Sequence, residues 1–216
     1  MKRVLILLLS LSIFSLSFAF DIVGGGTYNT HNFDYYIDNE KSSVDEDIKE
    51  QISKGYGAYA GMALYLNHNL GIEGGIDWFN SSYKNSDGSF SISQNTFGPY
   101  GALKLKVNIP ATPFSFDAKA GLIYYMNETT SKGSIGSISF TPGEKYTGMG
   151  YVLGAGFNYE IKNGFNINLN GNYRIAKLPL TEIKTISDDN YKKYEGTKKE
   201  LDLGGMRIGI GLSLEF

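Results

Sequence analysis

From Met206 to the end of the chain, every second residue is apolar: Met206, Ile208, Ile210, Leu212, Leu214 and Phe216. Between them stand Arg207, Gly209, Gly211, Ser213 and Glu215. A period of two belongs to an extended strand, whose side chains alternate between its faces. One face of this strand is wholly apolar and the other is small or polar. A strand with lipid on one side and a polar lumen on the other has to read this way.

The pattern recurs seven more times. Phe20, Ile22, Gly24, Gly26 and Tyr28 share one face of a first strand. Tyr56, Ala58, Ala60, Met62, Leu64 and Leu66 do so in a second, and Leu70, Ile72, Gly74, Ile76 and Trp78 in a third. The fourth carries Phe97, Pro99, Gly101, Leu103, Leu105 and Val107. Pro99 lacks the N–H that a ladder uses, so a bulge is expected there. The fifth strand aligns Phe114, Phe116, Ala118, Ala120, Leu122, Tyr124 and Met126, and the sixth Met149, Tyr151, Leu153, Ala155, Phe157, Tyr159 and Ile161. The seventh aligns Phe165, Ile167, Leu169, Gly171, Tyr173 and Ile175 against a row of Asn. The terminal strand is the eighth.

The connections alternate in length. Segments 67–69, 108–113 and 162–164 are short, and Asn163-Gly164 is a favoured pair for a two-residue hairpin turn. Segments 32–54, 81–91, 127–144 and 177–200 are longer and polar. This layout predicts an all-β fold, an eight-stranded antiparallel up-and-down transmembrane barrel with both termini at the short-turn end. Within the long loops, Ser43 and Glu46 have capping-box spacing, and Ile48 and Ile52 follow at helical spacing, which predicts a short helix over 44–53. Ile135, Ile138 and Phe140 predict that the flanking strands extend as a hairpin, with Thr141-Pro142-Gly143 as a turn. The aromatics sort as well. Phe20, Phe114, Phe116, Phe157, Tyr159, Phe165 and Phe216 lie near the short-turn end of the apolar face, and Tyr28, Tyr56, Trp78, Tyr124 and Tyr173 near the other. Two rings of outward aromatics fit two membrane interfaces.

Composition removes several alternatives. A mean hydropathy of −0.20 excludes a helical membrane protein but not a barrel, which places only alternate residues in lipid. There is no Cys and there are only two His, so neither a disulfide framework nor a thiolate or multi-histidine metal centre is expected. A net charge of −2 gives no reason to expect nucleic acid. At the amino end, Lys2 and Arg3 precede an apolar run over 4–18, with Ser17 and Ala19 at −3 and −1 of a cleavage site. Residues 1–19 are expected to be a signal peptide and 20–216 the barrel domain.

Signal peptide, eight alternating strands and a terminal strand ending in Phe216 resemble the small outer-membrane barrels of the OmpA, OmpX and OmpW type. The resemblance implies an integral protein of the outer membrane of a Gram-negative envelope. It also implies that Ile208, Ile210, Leu212, Leu214 and Phe216 resemble the signal read by the barrel-assembly machinery. A monomer surrounded by outer-membrane lipid is expected.

With the apolar face outside, the lumen receives Glu73, Asp77, Lys104, Lys106, Asp117, Lys119, Glu160, Arg174, Arg207 and Glu215. An eight-stranded barrel is only wide enough for its own side chains, and isolated charges in such a place are costly. Pairing across the lumen is therefore expected, with Asp77, Arg174 and Arg207 on one level and Glu73, Lys104 and Asp117 on a lower one. The favoured role is structural or surface-interactive, through loops 32–54, 127–144 and 177–200. A narrow channel for ions or small solutes is the alternative. A lipid-modifying enzyme built on His31 with Ser81 or Ser82 is a weaker one, since no general base and orienting group can be assigned. His68 falls in a short turn, at the wrong end for that chemistry. No cofactor, metal or catalytic residue is expected.

Overall fold

The computed structural model describes residues 19–135, 138–185 and 190–216, without the side chains of Ile135 and Ile138. The expected signal peptide, apart from Ala19, lies outside the described residues. In chain order the elements are β1 (Phe20–His31), β2 (Asp34–Ile37), β3 (Glu40–Ser42), α1 (Glu46–Ile52), β4 (Lys54–Tyr65), β5 (Leu70–Lys84), β6 (Phe90–Asn108) and β7 (Phe114–Ile135). Then come β8 (Ile138–Phe140), β9 (Gly143–Lys162), β10 (Phe165–Ile175), β11 (Lys177–Lys184), β12 (Lys192–Lys193), β13 (Lys199–Asp202) and β14 (Gly205–Glu215).

Eight of these strands close into a ring, β1-β4-β5-β6-β7-β9-β10-β14, and β14 returns to β1. Every neighbouring pair is antiparallel. Closure removes the free edges that an open sheet would expose. The closing seam is tight: a Cβ on Gly25 would stand 2.2 Å from the Ile210 carbonyl oxygen. The β9–β10 hairpin turns on Asn163 and Gly164, both at positive φ (49° and 78°), as a two-residue hairpin of this kind requires.

The alternation of the sequence becomes an inside and an outside. Ile208, Ile210, Leu212 and Leu214 are exposed on the outer wall, while Arg207 and Ser213 are buried inside it. The outward aromatics gather at two heights. Phe20 stacks on Phe216 at 4.7 Å, and Phe157 contacts both Phe114 and Phe116 at 5.2 Å near the short turns. Tyr28 packs on Tyr56 at the opposite end.

Above the upper aromatics the structure departs from the sequence pattern. The strands run on: β5 reaches Lys84, β6 begins at Phe90, β7 continues to Ile135 and β9 starts at Gly143. The expected loop 81–91 thus shrinks to a turn. Both faces of these extensions leave the lipid, so the apolar period disappears while the ladder persists, as in Ser82↔Ser93 and Ser91↔Lys132. β8 pairs antiparallel with β7 from Gly133↔Phe140 to Ile135↔Ile138, so Thr141 and Pro142 follow that pairing and are not its turn; the Pro142 carbonyl accepts from the Ser131 N–H at 3.0 Å. Pro99 makes no bulge. It stays in register with Ile76, and the β6–β7 ladder skips Gly98 and Pro99 and resumes unshifted from Phe97↔Met126 to Tyr100↔Ile123. Register shifts occur instead at Phe165/Asn166 and Leu180/Glu182.

Segment 177–200, expected as a loop, supplies β11 and β13. β11 pairs β9 through Leu180–Lys184 and β13 through Lys177–Pro179. β13 then pairs β2, and β2 pairs β3, making a small sheet over the barrel mouth. Helix α1 is capped by Asp45 and not by Ser43: Asp45 Oδ1 accepts from the Asp47 N–H at 3.0 Å and the Ile48 N–H at 3.4 Å. Asp45 stands immediately before Glu46 and Asp47, whose charges suit the positive end of the helix dipole.

Under this sheet lies an apolar cluster that the alternating pattern did not announce. Phe33, Ile52, Phe79, Ile123, Tyr125, Tyr146, Ala176, Leu178, Leu180, Leu201 and Leu203 are all buried together. It is drawn from α1, β13, β11, the links at Phe33 and Leu203, and the upper barrel wall, and it lies at the loop end of the lumen.

Candidate functional site

Below the cap, the lumen holds ionised side chains in layers. The layering follows from period two: inward residues on neighbouring strands meet at the heights set by register. At the short-turn end, Lys106 Nζ lies 2.6 Å from Glu215 Oε2 and 3.8 Å from Asp21 Oδ2. Tyr65 donates its hydroxyl to Asp21 at 2.7 Å.

One level deeper, Glu73 is the hub. Its carboxylate meets Lys104 at 3.1 Å and Lys119 at 2.5 Å, and accepts the Tyr100 hydroxyl at 2.8 Å. Lys104 and Lys119 are direct cross-strand partners. Like charges in that position repel, and Glu73 is the group that holds them together. Asp117, expected at this level, lines the same cavity as Glu73 and Lys104, and its carboxylate accepts from Asn158 Nδ2 at 2.9 Å. The third level is Asp77, which meets Arg207 at 3.0 Å and Arg174 at 3.8 Å. Arg207 lies over the Tyr59 ring and Arg174 over the Phe79 ring. Glu160, expected in the lumen, sits at the mouth and accepts from the Gly164 N–H at 3.0 Å. It keeps its register with Asn166 and is exposed because it stands next to the turn.

Several lumen residues escape a search for charges. Asp21 alternates onto the inner face, but its neighbourhood with Glu215 and Lys106 exists only once β1 meets β14. The inward Asn row of β10 forms a polar ladder: Asn168 donates to Asn158 at 2.5 Å and to Ser213 at 3.2 Å, and Asn170 donates to Tyr59 at 2.7 Å. Its signal was the alternation of Asn166, Asn168, Asn170 and Asn172 with apolar residues.

The free space narrows inward. A vestibule of about 410 Å³ at the short-turn mouth is lined by Lys106, Ser115, Asn166 and Glu215. A cavity of about 30 Å³ follows among Asp21, Glu73, Lys104, Lys119 and Asn168. Beyond it, about 10 Å³ remains between Asp77, Lys119, Asn172 and Arg207. Spaces of that size hold about one or two waters. His31 is buried at the level above. Its Nε2 lies 2.7 Å from Gln94 Oε1, which also accepts from Ser81 Oγ at 3.0 Å. Ser82 faces outward. Among the described residues no group of three or more His, Asp or Glu is placed to hold a metal ion.

Outside the membrane band, burial raises the Asp34 carboxyl, but the ammonium groups of Lys41 at 2.8 Å and Lys49 at 2.5 Å outweigh it and hold the group below its usual range. This pair of contacts ties β2, β3 and α1 together. Tyr191 is pushed up to about 12 by burial and by its bond to Glu128.

Comparison with solved structures agrees with this geometry. The outer membrane protein OprG from Pseudomonas aeruginosa superposes with a TM-score of 0.60 at 16% identity, covering 92% of this chain and 96% of its own. A major outer membrane protein from Thermus thermophilus gives 0.59 at 10% identity, covering 91% and 99%. Ail, the attachment invasion locus protein of Yersinia pestis, gives 0.50 at 13% identity, covering 93% and 100%. At these identities the likeness concerns the fold. No curated protein matches the chain in sequence. The family model described as the outer membrane protein beta-barrel domain matches residues 5–216, and the chain, an eight-stranded barrel with an apolar outer wall, therefore belongs to that family of outer-membrane proteins.

Proposed function

We propose that this protein is a non-conducting, non-enzymatic outer-membrane scaffold that presents its extracellular extensions for surface interaction. The observation that supports it most is the apolar cap, set directly above three levels of paired charge. A solute entering from the periplasm would meet the Glu73 and Asp77 levels, then the apolar cluster with the mutually bonded His31, Gln94 and Ser81 beside it. The interaction surface comprises segments 32–54, 127–144 and 177–200, raised on strands that outrun the membrane. The burial of His31 against Gln94 favours a packing role for that ring over catalysis. Residues 1–19 direct export, and the terminal strand through Phe216 engages the barrel-assembly machinery; the protein then stands as a monomer in outer-membrane lipid.

Ion and small-solute flux through the purified protein refolded into lipid vesicles tests the plug. No flux above empty vesicles is expected. Opening the cap with the pair Phe33→Ser and Leu201→Ser should raise flux. Reproducible flux in the unmodified protein, altered by Arg207→Ala, would make the lumen a narrow channel instead. N-terminal sequencing of the membrane form should begin at Phe20.

A further inference from the structure

Charge is not evenly spread along the lumen. At the short-turn end, Lys106 faces Asp21 and Glu215. At the deepest level two guanidinium groups, Arg174 and Arg207, share the single carboxylate of Asp77. Arg207 takes the close contact at 3.0 Å, with a further bond to Asn170. Arg174 stands 3.8 Å from the same carboxylate, and none of its Nε, Nη1 or Nη2 atoms has a hydrogen-bond partner among the described residues, although its side chain is only 1% exposed. Beside it, the Tyr125 hydroxyl faces the guanidinium without hydrogen-bond geometry and is likewise unpartnered. The surroundings are the underside of the cap, with the Phe79 ring centroid 4.6 Å from the guanidinium carbon.

A guanidinium cannot shed its charge by deprotonating. An unpaired buried charge is strongly unfavourable, and an orphaned donor is costly by itself. Water alone would satisfy the N–H groups but not the excess positive charge. We propose that Arg174, with the Tyr125 hydroxyl, is the seat of a buried small monovalent anion of the halide class. The local excess of one positive charge sets the valence, and the tight enclosure sets the size. Lys106, Lys104, Lys119 and Arg207 line cavities between the periplasmic vestibule and the Asp77 level, whose carboxylate Arg174 shares. The site is independent of whether the lumen conducts, because it needs access only from the periplasmic side.

The probe is bromide, added as its sodium salt to the full protein refolded in detergent and compared with sodium gluconate at equal ionic strength. A saturable rise in thermal unfolding temperature with bromide and none with gluconate is expected. Bromide-soaked crystals should show an anomalous peak beside Arg174. Arg174→Met should abolish the bromide response. Tyr125→Phe, which removes one donor to the ion and keeps the ring, should raise the half-saturating bromide concentration about tenfold. If Arg174→Met does not fold, Tyr125→Phe and the anomalous map decide. Equal responses to bromide and gluconate, an unchanged bromide midpoint in Tyr125→Phe, or a map without that peak would overturn the proposal.

Discussion

At the scale of single residues, Glu73 carries the most electrostatic weight in the lumen. It is 2% exposed and sits between Lys104 and Lys119, which oppose each other across the β6–β7 ladder. Glu73→Gln would leave two facing ammonium groups without a counter-charge. The expected loss is about 3–5 kcal/mol, the cost of breaking a buried pair from one side, read as a lower unfolding temperature of the refolded barrel. Adding Lys119→Met should recover part of it, because the repulsion is then gone. Asp34 gives a pH signature outside the membrane. Its carboxyl is held below the usual 3.8 by Lys41 and Lys49. A depressed carboxylate stabilises the folded form above the unfolded pKa, and that contribution is lost as pH falls through the folded value. Amide exchange in α1 should therefore quicken as pH is lowered through and below about 4, and Asp34→Asn should already show the quickened exchange at pH 7. An exchange rate for Asp34→Asn equal to that of the native protein would show that the contact does not anchor the helix.

At the scale of elements, the terminal strand separates the two faces most cleanly. Leu212 points into lipid and Ser213 into the lumen, where Asn168 donates to its hydroxyl. Leu212→Arg is expected to block membrane assembly, since a charge on the lipid face near the midplane costs roughly 2–4 kcal/mol. Ser213→Arg should be milder, because it adds a cation to a wall that already carries both signs. Folded yield in the outer-membrane fraction, judged by heat-modifiable gel mobility, compares them. Equal yields would contradict the face assignment. The closing seam is as sensitive to size as the wall is to charge. Gly25→Val would drive its Cβ against the Ile210 carbonyl oxygen, and no flexible side chain there can yield. Slower or failed closure of β1 on β14 is expected in refolding. The same elements show where reading by period stops. Strands within the lipid band were legible to within a residue or two, because lipid on one side and a polar lumen on the other impose the alternation. Their extensions, β11 and β13 were not, because water and the cap impose no such contrast.

For the whole molecule, closure divides a lipid-facing wall from a polar lumen. Closure, the outward apolar wall and the two aromatic levels place it in the outer membrane. The lower half of the lumen is charged and an apolar cluster lies at its upper end, and the two have different origins. The charged half comes from the barrel strands themselves. Besides the upper wall, the cluster is assembled from α1, β11, β13 and the links at Phe33 and Leu203, in or beside segments that read as charged or polar loops. Their apolar residues, among them Phe33, Ile52, Leu178, Leu201 and Leu203, are spaced too irregularly for any single period and acquire a common neighbourhood only when the loops fold back over the mouth.

Period two determined the fold class, the number of barrel strands, which face meets lipid and, apart from Asp21 and Glu160, which charged side chains enter the lumen. It could do so because each strand carries its own record of two different solvents. Counting from the short turns also grouped Asp77 with Arg174 and Arg207, and Glu73 with Lys104; tertiary structure decided the other contacts and their geometry. Register and closure bring Asp21 to Lys106, give Glu73 two lysines, turn Asp117 to Asn158 and set Arg174 beneath the cap with only a distant carboxylate. These contacts join residues far apart in sequence; the turns give each residue an approximate height, but only register and closure fix which side chains lie within bonding distance.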